Sequence, residues 1–128
     1  MVPSDPTPSP PGTALYAVSS RNLDQIVIDA QGYVLYRSER DSADPSRSVC
    51  DPVCARSWLP VPCQGEIRVE GIDRQLVACF DRLDGSRQLS LAGWPLYGYA
   101  GDRMPGDING HGLADEWYAI SPSGTPAG

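Results

Sequence analysis

Short runs of β-branched and aromatic residues, separated by turn signals, recur along the chain and predict strands rather than helices. No segment of ten or more residues shows the apolar period of an amphipathic helix. The predicted strands are 25–29, 33–37, 67–70, 76–81, 87–91, 94–99 and 116–120. Residues 54–58 predict at most one helical turn, ended by Pro60 and Pro62. The pattern predicts a mainly β fold, a small single domain of short antiparallel strands.

Proline and glycine mark the expected limits of this domain. Residues 1–12 hold five of the 13 prolines and predict an extended spacer. The domain is expected over 13–121, and residues 122–128 are expected to form a flexible tail. No signal peptide is recognisable before the spacer. Either the chain is cytosolic or a leader has been removed, and a Pro-rich spacer before a Cys-containing domain favours removal.

A ten-residue pattern occurs twice, 61 residues apart. The segments GYVLYRSERD at 32–41 and GWPLYGYAGD at 93–102 share a glycine, an aromatic residue, Leu-Tyr and a later Asp. Each segment is followed through a loop by a tryptophan, Trp58 and Trp117. One such unit could not bury its apolar face alone, whereas two can cover each other. The chain therefore predicts two hairpin–loop repeats, about 22–62 and 76–121, related by a pseudo-twofold axis.

The repeated tyrosines and aspartates are the first candidate functional residues. Strand alternation places Trp94 and Leu96 on one face and Tyr97 and Tyr99 on the other. The Asp five residues after each repeat tyrosine is the expected hydrogen-bond partner of that tyrosine. These pairs are interpreted either as structural staples or as ligand contacts. The candidate binding residues are Tyr36, Asp41, Tyr97, Tyr99, Asp102 and His111.

Composition narrows the classes of function. The 16 acidic residues against 10 basic ones give a formal charge of −6, which argues against binding the phosphate backbone of nucleic acids. No apolar run is long enough to span a bilayer. His111 is the single histidine, and neither a nucleophile motif nor a nucleotide-binding loop accompanies it. We therefore expect no enzymatic activity.

The four cysteines predict two disulfides in an oxidising compartment, for which three pairings exist. We favour Cys50–Cys54 and Cys63–Cys79. The alternatives are free buried thiols and a zinc site of four thiolates. Structural zinc sites have two short Cys pairs, and only Cys50 and Cys54 have that spacing.

The Gly/Asp-rich segment 101–115 offers oxygen ligands for a cation. Asp102, Asp107, Asn109 and Asp115 are candidate Ca²⁺ ligands in a flexible loop. The bidentate Glu expected at the twelfth position of a calcium loop is absent, because Tyr118 stands there. The main expectation is therefore that these side chains form turns and that no cofactor is bound, with Ca²⁺ as the alternative.

Several ordered motifs between Gln25 and Ile120 resemble a bacterial family of secreted-repeat lipoproteins, which carries a Y-x-[FWY]-x-x-D motif and has no determined function. Residues 97–102 match this motif in full, whereas 36–41 have Ser38 in place of the second aromatic residue. The stretches that also resemble the family are 50–60, 84–88, 93–97, 105–112 and 117–118. Cys63 and Cys79 look additional to the family's usual Cys pair, which favours a second disulfide.

The resemblance implies an exported protein of the bacterial cell envelope, secreted or lipid-anchored, and implies no activity. We expect a module that binds an unknown protein, glycan or small ligand through an aromatic/Asp edge made by Tyr97, Tyr99, Asp102 and residues 107–111. Tyrosine rings beside carboxylates suit sugars, peptides or cations. The alternative is an extracytoplasmic metal-binding or redox-related protein that uses the acidic loop or the Cys pair.

Overall fold

A computed structural model describes residues 13–128, so the predicted spacer 1–12 lies outside the described residues. The fold is mainly β, as predicted, with several small sheets. Two single turns of 3₁₀-helix interrupt the strands, at Cys54–Arg56 and Arg74–Leu76. The strands are β1 (Thr13–Ser19), β2 (Gln25–Ile28), β3 (Tyr36–Ser38), β4 (Ser42–Ala43), β5 (Ser46–Arg47), β6 (Trp58–Pro60), β7 (Ile67–Glu70), β8 (Val77–Asp81), β9 (Arg87–Leu91), β10 (Trp94–Pro95), β11 (Tyr97–Tyr99) and β12 (Trp117–Ala119).

The strands form three sheets and one small hairpin. The first sheet has the order β2-β1-β7, in which β1 pairs in parallel with β7. The second has the order β10-β9-β8 and is antiparallel. The third has the order β12-β3-β11-β6 and is also antiparallel, and it contains both repeat tyrosines. Strands β4 and β5 pair within the predicted polar loop.

Strands β9 and β10 form a tight hairpin whose turn explains one Ala-Gly pair. Ala92 and Gly93 both have positive φ, 53° and 87°, as a two-residue type I′ turn requires. Gly93 also packs against the backbone of Ala43, so a side chain at this position would clash with the β4–β5 hairpin. The turn therefore connects the second sheet to the first repeat.

The chain between 94 and 99 separates two hydrophobic cores. Trp94 and Leu96 pack into an aliphatic cluster, whereas Tyr97 and Tyr99 pack into an aromatic one. The alternation predicted from sequence is therefore correct, but both faces are buried rather than one. The chain divides at Leu96 into β10 and β11, which belong to different sheets.

Besides β4 and β5, two further strands lie outside the predicted set. Strand β1 lies at the centre of the first sheet, where Leu15 is fully buried. At strand β6 the sequence predicts only the end of a helical turn, because prolines follow. This strand lies at the edge of the third sheet, a position where Pro60 is tolerated because an edge strand does not need every backbone N–H.

The C-terminal residues fold onto the domain, which corrects the expectation of a flexible tail. Ser121 N–H donates to Thr125 O, and Ala127 N–H donates to Ala119 O. Arg37, which is buried, donates from Nη1 to Gly124 O at 2.9 Å. Ala127 is itself buried in the aromatic cluster. These contacts fix residues that sequence composition alone predicts to be loose.

Candidate functional site

The two repeats meet at a pair of tyrosines in the third sheet. Tyr36 of β3 and Tyr97 of β11 lie opposite each other in antiparallel register. On the outer side of β3, Trp117 pairs with Ser38, and on the outer side of β11, Trp58 pairs with Tyr99. The sheet thus has the pseudo-twofold arrangement that the sequence repeat predicts, with its axis between the two tyrosines.

The tyrosines exchange their predicted aspartate partners. Tyr36 donates its hydroxyl hydrogen to Asp102 Oδ2 at 2.7 Å, and Tyr97 donates to Asp41 Oδ2 at 2.7 Å. The prediction that each pair forms within its own repeat is therefore wrong. The hydroxyls reach the opposite repeat because the two strands pair antiparallel around the axis. Each repeat supplies the acceptor for the other repeat's buried tyrosine.

Each aspartate also closes a loop of its own repeat. Asp41 Oδ1 accepts the N–H of Val49 at 2.9 Å, and Asp102 Oδ1 accepts the N–H of Asn109 at 2.9 Å. Burial raises the pKa of Asp41 and of Asp102 above the usual range, although the tyrosine hydroxyls act in the opposite direction. Burial also raises the pKa of Tyr97, and the Asp41 charge adds to this, so the hydroxyl stays protonated. The two sets of bonds are equivalent in the two repeats.

Burial of Tyr36 and Tyr97 corrects one part of the predicted binding edge. Both side chains are fully buried and present no ring face to a ligand. Tyr99 and Asp102 keep partial exposure and line a groove of about 480 Å³ together with Tyr33 and Leu59. A role of Tyr99 and Asp102 in binding stays a prediction.

Aromatic rings stack through the centre of the third sheet. The rings of Trp58 and Trp117 are parallel within 2° at a centroid distance of 3.9 Å. Tyr99 stacks on Trp58 at 4.3 Å. Tyr36 meets Trp58 edge-on, and Tyr97 meets Trp117 edge-on in the same way. Sequence reasoning identifies both tryptophans as repeat markers but does not include them among the candidate site residues.

A cleft of about 530 Å³ opens beside this stack, on the side of the first repeat. Residues of the first repeat, the Cys50–Cys54 loop and the start of β12 form its walls. The lining residues are Ser38, Arg40, Asp41, Val49, Cys50, Asp51, Val53, Cys54, Ser57, Trp58, Glu116 and Trp117. Two apolar side chains of the wall, Val49 and Val53, are 53% and 67% exposed. The cleft combines carboxylates with exposed apolar side chains, whereas Trp58 and Trp117 are only 5% exposed and form its floor.

The predicted disulfides are both formed. Cys50 is bonded to Cys54, and Cys63 is bonded to Cys79, with Cα atoms 5.2 Å and 5.9 Å apart. Cys50 packs in the aromatic cluster, whereas Cys63 and Cys79 pack against the aliphatic one. Each core is thus crosslinked at its edge by one disulfide.

Residues 78–121 match the model of a family described as a secreted repeat of unknown function. The match covers β9–β12 and all of β8 except Val77, and it lies within the second predicted repeat, about 76–121. No curated protein and no solved structure gives a match to the chain. Together with the two disulfides, the secreted-repeat match indicates an extracytoplasmic protein. Among residues 13–128, no helix is both long and apolar enough to cross a membrane.

The acidic loop 101–115 uses its side chains to fold its own backbone. Asp107 Oδ2 accepts the N–H groups of Arg103 and Met104. Asn109 Nδ2 donates to Gly101 O at 3.4 Å. Across residues 13–128, no three His, Cys, Asp or Glu side chains converge into a group that could hold a metal ion. The carboxylates of Asp102, Asp107 and Asp115 therefore do not form such a group, and Ca²⁺ binding by this segment stays a prediction.

His111 fastens the same loop to β12. Its Nδ1 accepts the N–H of Ala119 at 3.0 Å, so the neutral ring carries its proton on Nε2. Burial lowers the pKa of His111, which favours this neutral form. The ring also meets Tyr118 edge-on. His111 does not line the cleft, so its predicted role in binding has no support from the cleft geometry and stays a prediction.

Proposed function

We propose that this protein is a non-enzymatic, extracytoplasmic binding module whose small ligand enters the cleft between the first repeat and β12. The observation that carries the proposal is the open cleft of about 530 Å³, whose walls include the exposed side chains of Val49 and Val53 and the carboxylates of Asp51 and Glu116. Its volume lies within the range of small-molecule sites. This cleft is separate from the groove that Tyr99 and Asp102 line, and of the predicted binding residues it includes Asp41. Attachment of the protein to the cell envelope through a lipid is part of the same proposal.

The cleft walls are held rigidly, as a binding site needs. Asp41 is fixed by Tyr97 and by the backbone of Val49. The Cys50–Cys54 disulfide closes the loop on the opposite wall. Arg82 donates to Cys50 O at 3.2 Å and so supports this loop from behind. Such a wall requires little reordering when a ligand binds.

Binding is tested by ¹H–¹⁵N correlation spectra of the protein with three probes: tryptamine, N-acetylglucosamine and triglycine. These represent an aromatic cation, a sugar and a peptide. We expect at least one probe to shift the amide signals of cleft residues. Val53→Trp, which fills the mouth of the cleft, should abolish the shifts. Leu83→Trp is the matched control, because Leu83 is fully exposed and does not line the cleft.

Two results would contradict the proposal. In the first, none of the three probes at millimolar concentration shifts the signals of cleft amides. In the second, the Val53→Trp variant binds as well as the Leu83→Trp variant. Either result would mean that the cleft does not accept ligands.

A second candidate function is thiol–disulfide exchange, because both Cys50 and Cys54 line the cleft. A thiolate of a partner protein would attack one sulfur, and the other would leave as a thiolate. Incubation with reduced glutathione, followed by alkylation and mass measurement, tests this function. We expect Cys50–Cys54 to open before Cys63–Cys79 if exchange occurs. Simultaneous opening of both bonds, or resistance of both, would argue against it.

A further inference from the structure

The two repeats differ at one position of the central strands in the third sheet. Arg37 follows Tyr36 in β3. Gly98 follows Tyr97 in β11. Because the two tyrosines lie opposite each other, Arg37 and Gly98 occupy equivalent places about the pseudo-twofold axis. The first repeat thus has a long cationic side chain where the second has no side chain.

The buried Arg37 side chain packs on an aromatic ring. Its guanidinium carbon lies 3.5 Å from the centroid of the Trp94 ring, in a cation–π contact. The same guanidinium donates to Gly124 O at 2.9 Å and forms an ion pair with Glu39. An aromatic face, a carbonyl oxygen and a carboxylate together compensate for the burial of this charge.

The corresponding place in the second repeat is open. Tyr33 corresponds to Trp94, since each of these residues follows the repeat glycine. The pseudo-symmetry therefore places Tyr33 beside Gly98, just as Trp94 is placed beside an arginine. Both Tyr33 and Gly98 are partly exposed, and both line the groove of about 480 Å³ that also contains Asp102. The groove thus lies where the first repeat has its arginine side chain.

The fold does not require glycine at position 98. The φ angle of Gly98 is not in the positive range. A Cβ atom at this position would have no atom of residues 13–128 within 4 Å, apart from its two chain neighbours. Glycine weakens the interior of a strand and often marks a site where a ligand or another backbone approaches closely. The space above Gly98 is therefore available to a bound group.

We propose that this groove binds an arginine side chain of a partner protein, whose guanidinium lies on the Tyr33 ring as that of Arg37 lies on Trp94. The inference goes beyond the proposed function, because the groove and the cleft share no lining residue. Leu59 of the groove wall is 51% exposed and lies opposite Gly98 in β6. Such an apolar wall suits the aliphatic part of an arginine and the residues that flank it.

The charges in the groove favour a cation. Among the described residues that line it, the charged ones are Asp29 and Asp102, and both are acidic. Asp29 Oδ1 accepts the N–H groups of Gln31 and Tyr33, so this carboxylate is held close to Tyr33. The Tyr33 hydroxyl donates to Arg103 O at 3.1 Å, which fixes the ring. A planar guanidinium stacks on a ring and donates in pairs to a carboxylate, whereas an ammonium does not.

Four probes separate charge, shape and source. They are acetyl-Leu-Arg-Leu-amide, the same peptide with citrulline, the same peptide with lysine, and free arginine. Citrulline keeps the planar group without the charge, and lysine keeps the charge without the planar group. We expect the arginine peptide to shift the ¹H–¹⁵N signals of Tyr33, Gly98 and Ala100. It should bind about tenfold more tightly than the citrulline peptide and about threefold more tightly than the lysine peptide.

Each probe also has a result that would contradict the proposal. Citrulline binding as tightly as arginine would overturn the role of charge, and lysine binding as tightly would overturn the role of the planar group. Free arginine should bind more weakly than the peptide, because its own carboxylate is repelled by Asp29 and Asp102 and it lacks apolar flanks. Equal affinity would show that a small guanidino compound, and not a partner protein, is the ligand.

Two substitutions at position 33 test the ring. Tyr33→Leu keeps an apolar side chain but removes the ring, and it should weaken binding of the arginine peptide about fivefold. Tyr33→Phe is the matched control, because it loses the hydrogen bond to Arg103 O and keeps the ring. We expect this variant to bind with near-normal affinity. Equal weakening in both variants would mean that the ring does not hold the guanidinium.

Gly98→Arg gives the second repeat the arginine that the first repeat has. Because its Cβ has space, we expect this variant to fold, to fill the groove with its own side chain and to lose peptide binding. Leu83→Arg is the matched control, since Leu83 is fully exposed and does not line the groove. Normal binding by a folded Gly98→Arg variant would overturn the proposal. The two Tyr33 variants decide the question even if Gly98→Arg does not fold.

The groove and the cleft can be tested independently. Val53→Trp should leave binding of the arginine peptide unchanged, because Val53 lines the cleft and not the groove. Loss of peptide binding in this variant would mean that the peptide enters the cleft, so the groove proposal would be wrong and the cleft proposal would gain support. Absence of binding by every peptide at millimolar concentration would overturn the groove proposal alone.

Discussion

Tyr36 and Tyr97 lie opposite each other in adjacent strands, at the point where the two repeats meet. Each donates its hydroxyl hydrogen to the aspartate of the other repeat, at the same distance of 2.7 Å. Because both rings are fully buried, each hydroxyl needs an acceptor inside the protein. Neither repeat can satisfy its own tyrosine, so the exchange makes the folding of the two halves interdependent.

Tyr97→Phe should lower the free energy of unfolding by about 1–3 kcal/mol, because it leaves the buried carboxylate of Asp41 without one of its donors. Tyr36→Phe should have a smaller effect, since Asp102 is more exposed than Asp41. Urea unfolding, monitored by tryptophan fluorescence, measures the free energy of unfolding of both variants. Tyr118→Phe is the control, because its hydroxyl makes no hydrogen bond within residues 13–128. Equal stability of Tyr97→Phe and Tyr118→Phe would contradict this account.

Local signals in the sequence are sufficient to predict the fold class, both disulfides and most strands of the second repeat. Strand β9 has the predicted limits, because the turn residues on both sides of it are unambiguous. The 61-residue repeat also predicts the pseudo-twofold axis, since two equal units are expected to cover each other's apolar faces. These features depend on residues that are near one another in sequence or identical between repeats.

The partners of the tyrosines cannot be predicted in the same way. Tyr97 and Asp41 are separated by 56 residues, and Tyr36 and Asp102 by 66. A nearby Asp is the simplest partner in sequence, and only the antiparallel pairing of β3 with β11 reverses the choice. The cleft escapes sequence reasoning for a related cause. Its walls come from the Cys50–Cys54 loop and from Glu116 at the start of β12, which are far apart in sequence and meet only because β12 pairs with β3.

Asp41 should make stability depend on pH in the acidic range. Burial raises its pKa above the usual value of 3.8, so the folded state binds a proton more readily than the unfolded state. The stabilising effect of the protonated Asp41 is complete when the pH is below the pKa of this group in the unfolded state. It is lost as the pH rises through the pKa of the group in the folded state. The stability of the unchanged protein relative to Asp41→Asn should therefore fall as pH rises above about 4.

Thermal unfolding of the two proteins in parallel measures this difference and cancels the titration of all other groups. Asp24→Asn is a suitable control, because this residue is exposed. A stability difference that is constant with pH, or that rises with pH, would contradict the effect of burial on Asp41.

His111 should also make stability depend on pH, but with the opposite sign to Asp41 and in a higher pH range. Because burial lowers its pKa in the folded state below the usual value of 6.5, the unfolded state takes up the proton first as pH falls. The stabilising contribution of the neutral imidazole is complete when the pH is above the pKa of His111 in the unfolded state. It decreases as the pH falls towards the pKa of His111 in the folded state. Protonation of Nδ1 would also remove the acceptor for the Ala119 N–H.

We therefore expect the stability advantage of the unchanged protein over His111→Gln to shrink as pH falls below about 7. Thermal unfolding at each pH measures this advantage. The protection of the Ala119 amide against hydrogen exchange, relative to the intrinsic exchange rate at the same pH, should fall at low pH only in the unchanged protein. A pH-independent advantage would show that the neutral imidazole is not the stabilising form.

The two disulfides should differ in their contribution to stability. Cys63–Cys79 closes a longer loop than Cys50–Cys54, with sequence separations of 16 and 4. The chain-entropy model gives about 3 kcal/mol for the longer loop and about 2 kcal/mol for the shorter one. We expect the Cys63→Ala/Cys79→Ala variant to unfold at lower urea concentration than the Cys50→Ala/Cys54→Ala variant.

The same two variants separate stability from the shape of the cleft. Cys50 and Cys54 line the cleft, whereas Cys63 and Cys79 do not. The affinity of a probe that binds in the cleft should therefore fall in the Cys50→Ala/Cys54→Ala variant and stay unchanged in the Cys63→Ala/Cys79→Ala variant, measured below the unfolding transition of both. The opposite order of stabilities would show that strain or unfolded-state structure outweighs loop length. Equal loss of affinity in both variants would show that the Cys50–Cys54 loop does not shape the ligand site.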